Sequence, residues 1–150
     1  NNSSVKLARC NSNACDAPTI HTLATAGGFT ADVAFDSQDK PIVAYVDGMN
    51  ADLKIAFCQD SACSTWATLP LDNETVSMKP LSLEMDSSGY PVISYYRHVE
   101  QPVNSVNQLL HCNDALCAGG DLNGIQVAHS TRWSLSRDKR RGRRCNLDSM

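Results

Sequence analysis

This 150-residue chain has no run of about 18 apolar residues, so nothing in it reads as a membrane-spanning helix. It has no Gly-rich phosphate loop and no stretch with a sustained helical period. Arginine is scarce through most of its length, with only Arg9 and Arg97 before residue 131. It opens NNSSVK, with neither Met nor a basic-then-apolar leader. From that opening we expect a processed product or a fragment of a longer protein, and localisation must be argued from the cysteines. The length suits one domain.

Charge is unevenly placed. Residues 1–130 carry 6 basic and 14 acidic side chains, a net −8, whereas residues 131–150 carry 7 and 2, a net +5. So abrupt a change marks a boundary near Trp133 between unlike segments. We expect a body over 1–130 and a basic, disordered tail over 131–150.

What the chain does have is a repeat. RCNSNACDA (Arg9 to Ala17), FCQDSACST (Phe57 to Thr65) and HCNDALCAG (His111 to Gly119) share Cys-x4-Cys, with first cysteines 48 and then 54 residues apart. AFDSQDKPIVAYV and EMDSSGYPVISYY recur 50 residues apart, matching Asp36 to Asp86, Pro41 to Pro91 and Tyr45 to Tyr95. The unequal offsets imply small insertions, expected in loops before Asp86 and within Arg97 to Gln108. Repeat units are expected over about 5–52, 53–107 and 108–130.

Short alternating runs separated by turn residues read as strands. We expect ten: Val5–Cys10, Ile20–Ala24, Thr30–Asp36, Pro41–Asp47, Leu53–Cys58, Thr65–Leu71, Leu81–Asp86, Pro91–Arg97, Leu109–Cys112 and Ile125–His129. DSQDKP and DSSGYP supply turns, with Gly89 free to take positive φ and Pro91 opening a strand. Four strands per roughly 50-residue unit is the arithmetic of a β-propeller blade. The fold expected is therefore all-β, an incomplete β-propeller of about two and a half four-stranded antiparallel blades.

Five-residue spacing places Cys58 at the close of one strand and Cys63 at the opening of the next, around a QDSA hairpin loop. Opposed residues of a non-hydrogen-bonded antiparallel pair have Cα atoms about 4.5 Å apart, within the roughly 4.4–6.8 Å a disulfide accepts. We expect Cys10–Cys15, Cys58–Cys63 and Cys112–Cys117 as disulfides, with Cys145 unpaired. A zinc site would need two such pairs to converge on one ion, and redox catalysis prefers Cys-x-x-Cys at a helix start. Neither fits successive hairpins pointing apart. Persisting disulfides imply an oxidising compartment, so the protein is expected outside the cell or on its surface. Asn1, Asn2 and Asn73 stand in glycosylation sequons compatible with export.

The repeated core, DSSGYPVISYY together with KIAFCQDSAC, resembles exported β-propeller repeat proteins loosely grouped with the bacterial neuraminidase (BNR) and sialidase-like repeats, over about residues 5–130. Asp60-Ser-Ala-Cys-Ser-Thr-Trp66 is similar to the Asp-box of that group, Ser-x-Asp-x-Gly-x-Thr-Trp, without its glycine and one residue longer. The resemblance implies a non-catalytic binding or structural repeat module, part of a longer protein. Its alternative is the non-catalytic portion of a sialidase-like glycoside hydrolase whose active site lies in other blades. Such a hydrolase needs three arginines, a tyrosine with a supporting glutamate, and an acid. Here Tyr95, Tyr96 and Glu100 lie near Arg97, but Tyr95 repeats Tyr45, as a packing residue would.

No catalytic, metal or cofactor residues are assigned, and no binding residue is singled out. His111 and Cys112 are strand neighbours facing opposite ways; His21, His98 and His129 have no ligand spacing. The acidic turns Asp47 to Asp52 and Asp114 to Asp121 are expected to be solvated, although their oxygens could hold calcium. Tyr45, Tyr90, Tyr95, Tyr96 and Trp66 could make a sugar-stacking surface or fill the core. The ligand expected is a glycan or a protein, not nucleic acid, because the acidic body repels phosphate. Other partners are the remaining blades, from a longer chain or from self-association. The tail carries six basic residues among Arg137 to Arg144. Within it, Arg137-Asp-Lys-Arg140 resembles a convertase site, and Cys145 could pair between chains.

Overall fold

The computed structural model describes residues 4–25, 28–73, 76, 80–99 and 104–117. The expected strand Ile125–His129, the tail, His129 and Cys145 lie outside them. The described residues form nine strands and no helix: β1 Val5–Arg9, β2 Thr19–Ala24, β3 Gly28–Phe35, β4 Pro41–Asp47, β5 Asp52–Cys58, β6 Trp66–Asp72, β7 Ser82–Met85, β8 Pro91–Val99 and β9 Asn104–His111. They make three antiparallel sheets of neighbouring strands, β1-β2, β3-β4-β5-β6 and β7-β8-β9. The described residues are all-β, and their sheets are open. The sequence period is out of phase with them: the unit counted from Leu53 begins at β5, partway through the strand order of the second sheet.

Pairing repeats as faithfully as sequence does. Val5 faces Ala24 and Arg9 faces Thr19, with a register shift after Val5. Forty-eight residues on, Leu53 faces Asp72 and Phe57 faces Ala67, with the shift after Leu53. The DSxxxP turns match as well. Asp36 and Asp86 each donate their backbone N–H to the carbonyl four residues on (Lys40, Tyr90), at 3.0 and 2.9 Å. Each carboxylate takes two further N–H groups of its own turn. The third turn residue is left-handed in both, Asp39 at φ 57° and Gly89 at φ 77°. Glycine and aspartate tolerate that region.

One insertion lies where the sequence places it, within Arg97 to Gln108, but it is not all loop: β9 begins at Asn104, five residues before the expected Leu109. Tyr96 faces Asn107 and Arg97 faces Val106, as Val46 faces Leu53 and Asp47 faces Asp52. Two further pairs then follow, His98 with Ser105 and Val99 with Asn104. Four extra residues thus lengthen a hairpin by two rungs. An even step keeps every side chain on its face.

The sheets stack face to face through the alternation of β4. Ile42, Ala44 and Val46 join Leu53, Ile55 and Phe57 against Leu83, Ile93, Tyr95 and Leu110 of the third sheet. Val43, Tyr45 and Ala56 pack the other way, onto Val5, Leu7 and Leu23 of the first. Second and third sheets approach at their first strands, β3 against β7. There the Thr30 hydroxyl accepts the Leu81 N–H at 3.3 Å, and the Asp32 carboxylate accepts the Leu83 N–H at 2.9 Å. Side chains of one sheet therefore cap the edge of the next, a solution to unpaired edge donors.

Candidate functional cleft

All three Cys-x4-Cys loops and both DSxxxP turns lie at the same end of the strands. The three cysteine pairs stand at disulfide distance, with Cα atoms 4.7, 4.9 and 5.0 Å apart. Their geometry differs from the expected ladder pair. Cys58 faces Trp66 across the ladder, and Cys63 lies inside the loop. The N–H of Cys15, Cys63 and Cys117 donates to the carbonyl three residues back, Ser12, Asp60 and Asp114. All three cysteines are left-handed, at φ 51°, 53° and 49°. This is a turn followed by one left-handed residue, so the sulfurs clasp a turn to its own strand.

Asp60 completes the second loop. Its carboxylate accepts N–H groups of Ala62, Ser64 and Thr65 and both hydroxyls of Ser64 and Thr65. The Thr65 hydroxyl first, then the Ser64 donors, hold it well below the usual carboxylate range. The Trp66 indole donates to the Cys63 carbonyl at 2.9 Å. The residues resembling an Asp-box thus build this loop.

Between the second and third sheets, at this end, lies a cleft of about 680 Å³. Its floor is Ile42, Phe57, Ala67 and Leu69; Ser37, Gln38, Lys40 and Gln59 rim one side, Ser87 to Gly89 the other, and Ala115 and Leu116 of the third loop overhang it. An apolar base with a polar rim is the usual make-up of a ligand site. The polar groups near it are largely engaged in structure. Asp36 accepts the Gln38 and Lys40 N–H groups. Asp86 receives Tyr90 and Ser88 N–H groups and contacts His111 Nε2 at 2.7 Å, interactions that lower its pKa, Tyr90 first.

The other expected residues scatter. Tyr45 and Tyr95 are buried on the faces toward the first and second sheets respectively, so the five aromatics share no stacking surface. Burial raises the pKa of both hydroxyls, and Tyr95 donates to Asp72 Oδ2 at 2.7 Å. Tyr96 adjoins Tyr95 on β8 and faces the opposite side. Arg97 and Arg9 lie at opposite ends of the strands. Glu100 lies outside the described residues. In the acidic turn, Asp47 pairs with Lys54 and accepts the Met49 N–H, the Lys54 bond chiefly lowering its pKa; Asp121 lies outside the described residues. Among the described residues no group of three or more His, Cys, Asp or Glu could hold a metal ion, and no helix is long and apolar enough to cross a membrane. His21 stacks obliquely near Trp66, ring centroids 6.2 Å apart. His98 lies within β8. Asn73 is exposed immediately after β6.

The cleft itself was not expected from sequence. Its walls come from segments up to 80 residues apart, and each lining residue is ordinary in its own strand. Comparison with known proteins finds no family model, curated protein or solved structure that matches this chain.

Proposed function

We propose that this chain is a non-catalytic extracellular binding module, a stretch of β-propeller repeats from a longer protein, whose ligand enters the cleft between successive sheets. The observation that carries the reading is the cleft's composition: an apolar floor open to a ligand, beside carboxylates already occupied by their own turns. Three cysteine pairs at disulfide distance fit an oxidising compartment. Sheets that meet at their first strands fit the radial arrangement of propeller blades.

The exposed side of β3 supports membership of a longer assembly. Val33 and Phe35 share the face of Val43 and Tyr45 toward the first sheet, yet are 42% and 58% exposed. The first sheet has only the counterparts of β5 and β6 there among the described residues. Two further strands would cover that apolar area.

The test is to screen the chain against glycan and peptide arrays, with and without Ser88→Trp, which fills the cleft from its exposed rim. Saturable binding lost in the variant supports the reading. Binding indifferent to the variant, or sialoside hydrolysis by the chain, overturns it.

A further inference from the structure

The repeat supplies its own control for the cleft. Arg9, Phe57 and His111 are equivalent positions, each immediately before the first cysteine of its loop. At the junction of the first and second sheets, Arg9 Nη1 reaches across and donates to the Ser61 carbonyl of the second loop at 3.0 Å. At the next junction the equivalent pair is Phe57 and Ala115, and both line the cleft. The third loop repeats the backbone of the second: Leu116 donates its N–H to Asp114 Oδ1 at 2.8 Å, as Ala62 does to Asp60 at 2.9 Å. The Ala115 carbonyl is therefore the counterpart of the Ser61 carbonyl, while Phe57 has no donor to offer it.

We infer that the cleft binds an arginine side chain presented by a peptide partner, in the role that Arg9 plays for the first junction. This rests on the binding reading above and names its ligand. The aliphatic stem would lie on Ala67, Leu69 and the exposed Leu116, and the guanidinium would donate to the Ala115 carbonyl beside Asp36. Long basic side chains bury their stems on apolar surface while keeping the charged head at a polar rim. The net −8 of residues 1–130 favours a cationic partner electrostatically. Arginine is preferred over lysine because its planar fork spends several donors at once on carbonyl and carboxylate oxygens.

The probe is the pentapeptide acetyl-Gly-Leu-Arg-Leu-Gly-amide, titrated against the full chain while the methyl signals of Leu69 and Leu116 are followed by NMR. Saturable shifts are expected, at least tenfold weaker when lysine replaces arginine and absent with norleucine. Phe57→Arg reproduces the first junction and should abolish binding. Because Phe57 is buried, Ser88→Arg provides the same block from an exposed turn position, with the unchanged spectrum of the remaining residues confirming its fold. Equal binding of the lysine and arginine peptides overturns the inference, as does Arg-peptide binding unaffected by Ser88→Arg. If the arginine peptide fails and another array ligand binds in a manner blocked by Ser88→Arg, the arginine assignment falls and the binding module stands. If no ligand is blocked by Ser88→Arg, both fall.

Discussion

The carboxylate of Asp60 gathers five donors from Ala62, Ser64 and Thr65, and these hold its pKa below the unfolded value of about 3.9. A depressed folded pKa means that the unfolded chain takes up more protons in acid. The contribution is thus complete above the ordinary carboxylate range and is lost as pH falls below it. Urea midpoints at pH 7 and pH 3 should show a steeper acid loss for the native chain than for Asp60→Asn, and equal slopes would refute this assignment. Tyr95 offers a second measurement away from the loops. Its buried hydroxyl donates to the buried Asp72 carboxylate, so Tyr95→Phe removes one donor from that group. A loss of about 1–3 kcal/mol in urea unfolding is expected, with the core shape kept. Gln108, opposite Tyr95, is the counterpart of the half-buried Lys54 and is itself buried.

Among the elements, the Cys-x4-Cys hairpins show most clearly what could be read in advance. Their positions and pairings followed from spacing, because a staple needs only two sulfurs near one turn. The detail did not follow. Counting loop residues cannot distinguish an opposed pair from a turn plus one left-handed residue, and it is the latter that places Cys63 inside the loop. Likewise the turn at Gly89 and the strand start at Pro91 were legible from turn chemistry, while the polar stretch Asn104 to Gln108 was not, since its partner across the ladder supplies its order. A six-residue ring contributes about 2 kcal/mol by the chain-entropy argument. Removing the buried Cys58–Cys63 pair as Cys58→Ala/Cys63→Ala should therefore lower stability by at least that amount. Cys58→Ala/Cys63→Gly should recover about 1 kcal/mol of it, because glycine takes φ 53° without a Cβ penalty. Denaturant midpoints of the two double variants decide the point, and identical midpoints would contradict it.

For the whole molecule, the two ends of the stack differ in kind. Positions of the second sheet that pack on the third are Ala34, Ile42, Ala44, Val46, Leu53, Ile55 and Phe57. Their counterparts on the outer face of the third sheet are Glu84, Val92, Ser94, Tyr96, Asn107, Leu109 and His111. That face is far more polar than the interior face it repeats, whereas Val33 and Phe35 leave an apolar area at the other end. Self-association of the isolated chain should accordingly proceed through the β3 side. Phe35→Lys is expected to reduce concentration-dependent association in sedimentation velocity, and Leu109→Lys to leave it nearly unchanged; the reverse order would refute the asymmetry. None of this was visible from the repeat pattern, because a motif search finds what repeats retain and passes over the substitutions that give each face its partner.

The bonds from Thr30 and Asp32 to the edge of β7 act on the angle between neighbouring layers. Two anchors on alternate residues of one edge leave little freedom to slide or swivel, so the third layer takes its tilt from the second. The angle between these two layers is then written into a pair of short side chains, and shortening either one would loosen it.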